Sequence, residues 1–323
     1  MSNPRSRKFN TKLASANSGV YVDVAHLISL RHASKEIPAL KINKSQNPLS
    51  GMLTSNFKGR GIDFAEVRQY EPGDDVRTID WRVTARTQEP HTKLFQEERE
   101  RPVMILVDQS PSMFFGSQVR FKSVMAAELA ALLAWSSLNH GDRVGGMVFN
   151  EQSHREVRPR RNKHSVLRFL NELQDFNNRL TRDNIQERGE SLANALLNVR
   201  RIAKHGYTVI VISDFSQFNA AAERHLRQIA QHNDIMGIMV SDQMETELPA
   251  PDLYTITNGE QRIEINTSIE KNRSAYHSAH ELHTSRVFDQ FARLKAPVLT
   301  VDTGGDAVSQ LTSLLTMPQR RTR

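Results

Sequence analysis

The chain contains no cysteine, which removes disulfides, thiolate zinc sites and cysteine nucleophiles from consideration. Long apolar runs are also missing. The best candidate, residues 124–135, carries Glu128 and falls well short of the roughly 20 residues a membrane-spanning helix needs. The opening residues, Met1 to Lys8, have charge but no apolar stretch behind them, so no signal peptide is expected and a cytoplasmic location is the default. No Gly-x-x-x-x-Gly-Lys-Ser/Thr, Gly-x-Ser-x-Gly or His-Glu-x-x-His pattern occurs, so a P-loop, a serine-hydrolase elbow and a zincin helix are excluded. Aromatic residues amount to only 7%.

The chain of 323 residues has 38% hydrophobic and 24% charged residues, the balance of a globular protein with a sizeable core. Its net charge of +7 is uneven: ten Lys and Arg in the first sixty residues face only Asp23 and Glu36, and Arg320, Arg321 and Arg323 end the chain. With so few aromatic residues to stack on bases, these charges read as solvated faces and tails rather than a nucleic-acid interface.

The most informative stretch is Val103-Met104-Ile105-Leu106-Val107-Asp108-Gln109-Ser110-Pro111-Ser112. A continuous β-branched and aliphatic run is the pattern of a strand buried on both faces of a parallel sheet. It stops at a carboxylate followed by two hydroxyls at alternate positions. In open α/β sheets ligands gather just beyond the carboxyl ends of such strands. Tyr207 to Asp214 repeats the theme, an apolar strand closing on an aspartate. The patterns predict strands over 143–149, 154–158, 235–240 and 297–301, alternating with helices over 120–139, 165–176, 191–204, 220–232, 269–294 and 307–315. A short helix is expected over 24–37 and a hairpin around Asn258-Gly259. Strands alternating with helices imply a doubly wound, mostly parallel sheet.

Residues 64–82 form the most charged stretch of the chain. Glu71-Pro72-Gly73-Asp74 reads as a tight turn. The arginines and aspartates around it suit an ion-pair network that locks a loop, with a recognition surface as the alternative.

Asp108, Ser110 and Ser112 with Asp214 and Ser191 make an oxygen-only donor set suited to Mg²⁺; ordinary turn and helix capping is the competing reading. His277, His280 and His283 drift around a helix face and read as solvated residues before a zinc site.

Two resemblances attach to these motifs. Asp108-Gln109-Ser110-Pro111-Ser112 resembles the metal-ion-dependent adhesion site of von Willebrand factor A domains. Arg68-Gln69-Tyr70-Glu71-Pro72-Gly73-Asp74-Asp75-Val76-Arg77-Thr78-Ile79-Asp80-Trp81-Arg82 is similar to the signature of the bacterial family catalogued as domain of unknown function 58. Together they imply an α/β, von Willebrand factor A-like fold with a small N-terminal extension. The expected layout is a basic segment (1–58), a signature module (59–101), the main domain (102–318) and a basic tail (319–323). They assign Asp108, Ser110 and Ser112 to a first metal loop, Ser191 to a second in place of the usual threonine, with Glu190 where a glycine is usual, and Asp214 to a third. The implied cofactor is Mg²⁺, with Mn²⁺ or Ca²⁺ as substitutes. The implied role is metal-dependent protein binding beside a MoxR-type AAA+ ATPase, in assembly or maturation of other proteins, with an acidic residue of the partner completing the metal's coordination. A Mg²⁺-dependent phosphohydrolase using the same aspartates is the alternative.

Overall fold

The structure, a computed structural model, describes residues 19–40, 62–71, 74–97, 101–181, 191–257 and 262–316. Chain order gives α1 (Val24–Ser29), β1 (Ile62–Gln69), α2 (Trp81–Thr87), β2 (His91–Glu97), β3 (Pro102–Asp108), α3 (Lys122–Asn139), β4 (Arg143–Phe149), β5 (His154–Arg160) and α4 (Lys163–Asn177). It continues with α5 (Ser191–Ile202), β6 (Thr208–Ser213), α6 (Ala220–Ala230), β7 (Asp234–Ser241), α7 (Gln243–Thr246), β8 (Leu253–Thr257), β9 (Arg262–Asn266), α8 (Glu270–Arg293), β10 (Val298–Asp302) and α9 (Ala307–Thr316). These residues gather into two compact units, one from 19–40 with 101–316, the other from 62–97.

The first unit is built on a six-stranded sheet in the order β10-β7-β6-β3-β4-β5. All neighbours are parallel except β4 and β5. Residues of β3 alternate between two cores, which is why its sequence is apolar without interruption. Val103, Ile105 and Val107 join α1, α3, α4 and α9 on one face. Met104 and Leu106 join α5, α6 and α8 on the other. Helix α3 is buried over nearly its whole length, because α1 and a 3₁₀ turn at Ala33–Glu36 cover the side facing away from the sheet. Trp135 on α3 donates its indole N–H to the Leu27 carbonyl at 3.1 Å.

From β3 the chain winds outward through β4 and β5, then returns to the other side of β3 at β6 and continues to β7 and β10. The direction of winding therefore reverses between β3 and β6. The crevice beyond the ends of those two strands is where such sheets bind ligands.

In the second unit β1 and β2 pair as an antiparallel hairpin with a register shift between Phe64 and Glu66, and α2 follows β1 within it. The sequence reading of 64–82 as a locked loop is corrected here: 62–69 is strand and 81–87 is helix. Among the described residues there, Arg68 pairs with Asp74 at 2.7 Å and with Glu71 at 3.4 Å. The helix expected over 24–37 ends at Ser29, whose hydroxyl turns back to the His26 carbonyl at 2.7 Å, a local bond that competes with helix continuation. The Asn258-Gly259 turn lies outside the described residues, while its flanking strands β8 and β9 pair antiparallel.

Candidate functional site

Asp108 is the last residue of β3 and its carboxylate is buried. Oδ1 accepts the Ser110 backbone N–H at 2.9 Å and the Ser110 hydroxyl, and Oδ2 accepts the Ser213 hydroxyl at 2.6 Å. Ser213 ends β6, so the register of two adjacent parallel strands sets this contact. The next residue is Asp214, also buried. Its Oδ1 accepts the Ser216 N–H at 2.9 Å, and the Ser216 hydroxyl donates to the Ser112 hydroxyl at 3.0 Å. Asp108, Ser110, Ser112 and Asp214 are thus brought together at the switch point, with half-buried Ser112 and exposed Ser216 at its mouth.

Phe215, between them, has φ 57°. A bulky side chain in the left-handed region costs on the order of 1–3 kcal/mol and persists only where its surroundings enforce it. Here the enforcement is visible: the Phe215 N–H donates to the Ser213 hydroxyl at 2.9 Å, and its ring packs edge-on against Phe218 and Phe291.

Lys122 is a site residue that no motif marks. This first residue of α3 is 1% exposed, and its ammonium lies 2.7 Å from Asp214 Oδ2 and 2.5 Å from Glu245 Oε1. The positive end of a helix dipole disfavours a cation in the first turn, so the carboxylates must more than offset both that and burial. They do: burial works against the ammonium, yet Asp214 and Glu245 hold its pKa above the ordinary lysine value. Burial likewise opposes ionisation of Asp214, but Lys122 and the Ser216 hydrogen bonds outweigh it and keep the carboxyl below the usual carboxylate range. Among the described residues no such cation pairs with Asp108. Burial, reinforced by the Asp214 charge, pushes it up to about 6 against the opposing bonds from Ser110 and Ser213.

Ser191 stands apart from the other four. Its N–H and hydroxyl both donate to Gln217 Oε1, at 3.1 and 2.6 Å, and Gln217 donates to Glu151 at 3.0 Å. Gln217 lies three residues beyond Asp214, so Ser191 is tied to the same loop by a bridge rather than by contact with the carboxylates. Glu190 lies outside the described residues. The three histidines of α8 do not converge: His277 pairs with Glu281 at 3.3 Å, His280 meets Thr284 at 3.5 Å, and His283 approaches the Asp214 carbonyl at 3.4 Å. Among the described residues no three His, Asp or Glu side chains form a metal cluster. No helix among them is long and apolar enough to cross a membrane.

Comparison with known proteins follows the same lines. The chain is 28% identical over 282 residues to the uncharacterized protein Rv1480 of Mycobacterium tuberculosis (strain ATCC 25618 / H37Rv) and to the uncharacterized protein Mb1516 of Mycobacterium bovis, covering 86% of each chain. Among solved structures it is similar to the conserved hypothetical protein BatB from Bacteroides thetaiotaomicron (16% identity, TM-score 0.38, covering 67% of this chain and 98% of that one). It is also similar to an aerotolerance-related membrane protein from Bacteroides fragilis (15%, TM-score 0.41, 66% and 96%) and to the SpRpn10 VWA domain (12%, TM-score 0.35, 66% and 94%). The family model described as protein of unknown function DUF58 matches residues 66–286, more than half of the chain and spanning both the charged hairpin and the switch-point crevice, and the chain belongs to that family.

Proposed function

We propose that the crevice between the ends of β3 and β6 holds a divalent cation and uses it to dock an acidic residue of a partner protein. The observation that carries this reading is a charge imbalance. The one buried ammonium pairs with Asp214 and Glu245, and the Asp108 carboxylate, accepting only hydroxyl and backbone donors and raised in pKa by burial and the Asp214 charge, has no cation among the described residues. The donor set fits the group. Asp108, Ser110, Ser112 and Asp214 offer hard oxygens on two adjacent loops, and Mg²⁺ prefers such ligands while keeping waters on its remaining positions. Mn²⁺ or Ca²⁺ would suit the same oxygens. Ser191 would join only on exchanging its bond to Gln217. Bound there, the cation would supply Lewis acidity toward an incoming carboxylate, while Lys122 holds Asp214 in place and the strained Phe215 turn keeps the loop rigid.

The resemblance noted above names a MoxR-type AAA+ ATPase as the partner, in a cytoplasmic assembly or maturation step. The phosphohydrolase alternative fares less well, because phosphoryl transfer also calls for basic side chains that clamp the phosphate beside the metal. Lys122 is buried and committed to two carboxylates.

Titration of the full chain with Mn²⁺, followed by electron paramagnetic resonance, tests the site. One ion bound per chain, displaced by Mg²⁺ and lost in Asp108→Ala, is the expected result. Retention of the purified ATPase on the immobilised chain should then require Mg²⁺ and fail in EDTA. Mn²⁺ binding unchanged by Asp108→Ala would remove the site, and ATPase retention in EDTA would remove the docking role.

A further inference from the structure

The charged hairpin unit carries a second surface that the crevice does not use. Asp75 and Asp80 stand close to arginines in sequence, yet their carboxylates accept from backbone N–H groups. Asp75 accepts the Arg77 N–H at 3.0 Å and caps a 3₁₀ turn at Val76–Thr78. Asp80 accepts the N–H groups of Arg82 and Val83 at 3.0 and 3.2 Å and caps α2. Asp74 is taken by Arg68 and by the Glu71 N–H. The side chains of Arg77, Arg82 and Arg86 are exposed, and no carboxylate pairs with them among the described residues.

Two large apolar side chains on the same stretch are turned to solvent, Trp81 at 69% and Val76 at 63% exposure, next in sequence to Arg82 and Arg77. Exposed tryptophan flanked by free arginine is the composition of an interface hot spot. We infer that Val76, Arg77, Trp81, Arg82 and Arg86 form a docking surface for an acidic segment of a partner protein, one that sets an apolar residue against Trp81 and carboxylates against the arginines. A nucleic acid fits less well. Trp81 is a single stacking face where single strands use several.

The chain has two tryptophans, and Trp135 is 2% exposed, so acrylamide quenching of the full chain reads Trp81. The probe is a synthetic peptide in which Glu pairs alternate with Leu. It should shield Trp81 from acrylamide, with affinity falling as salt rises and dropping on the order of tenfold in the double variant Arg82→Glu, Arg86→Glu. The same peptide with Lys in place of Glu should give no shielding, and a fluorescently labelled copy should lose its binding to Trp81→Ala. Four results would overturn the inference: Trp81 already shielded in the free chain, no shielding by the acidic peptide, equal affinity for the charge-reversed variant, or shielding by oligo(dT) in preference to the peptide.

Discussion

Replacing Asp108 by asparagine exchanges an ionisable buried group for a neutral one of nearly the same shape. The folded chain holds the Asp108 carboxyl at about 6, against an ordinary value of 3.8. The fold therefore favours the protonated form. Its contribution to stability is complete below the unfolded value and is lost as pH rises through about 6. A shift of this size corresponds to about 3 kcal/mol at about 1.36 kcal/mol per pKa unit. Asparagine carries no charge at any pH and still accepts from the Ser110 N–H, so the variant escapes the penalty. In EDTA at pH 8, Asp108→Asn should be more stable than the parent chain by up to about 3 kcal/mol, or about 6–12 °C in Tm for a domain of this size. At pH 4 most of the difference should vanish, since the parent carboxyl is then protonated in the fold. Urea denaturation at the two pH values reads both differences. Added Mg²⁺ should close the gap at pH 8 by stabilising the parent alone. A variant no more stable than the parent at pH 8, or a gap that ignores pH, would refute the claim that this carboxylate is uncompensated.

Lys122→Met should have the opposite effect, costing about 3–5 kcal/mol at neutral pH by leaving Asp214 and Glu245 buried without their cation. Adding Asp214→Asn should restore part of the loss, and a denaturation midpoint unmoved by Lys122→Met would show that the ammonium is not where β6 ends. Gly145 tests the sheet edge. A Cβ there would sit 2.3 Å from the Val157 carbonyl oxygen and 2.5 Å from the Pro159 nitrogen, both backbone atoms of β5. Gly145→Ala should cost about 1–3 kcal/mol or more in thermal melts, and an unchanged Tm would place β5 elsewhere.

The sheet was legible because β3, β6 and β7 are buried on both faces, and that condition leaves an unbroken aliphatic signature. The carboxylates at the ends of β3 and β6 followed from it, since a strand's last residue is marked by the change from apolar to polar. Lys122 left no such mark. It is one lysine ahead of an alanine-rich helix, and only the winding of the sheet brings it to Asp214, 92 residues away. Glu245 is further still, at 123 residues. Strand β1 was hidden for a local reason: the register shift between Phe64 and Glu66 interrupts the two-residue period by which a half-buried strand is recognised. Ser191 was placed on the correct helix start, but nothing in its neighbourhood announced that Gln217 would claim its hydroxyl.

The packing of residues 19–40 bears on how the protein is made. The Val22 N–H donates to Asn177 at 2.8 Å, across 155 residues of chain, and Tyr21 donates to the Leu180 carbonyl across 159. At about 5–20 residues per second, a ribosome needs on the order of 10–30 s to supply those partners. Until α3 follows, some hundred residues on, α1 lacks the helix that Leu27 contacts, and it lacks α4 for longer still. Residues 19–40 thus complete their packing only after α3 and α4 have followed them, and until then the faces of α3 and α4 that they cover are open to a chaperone or a protease.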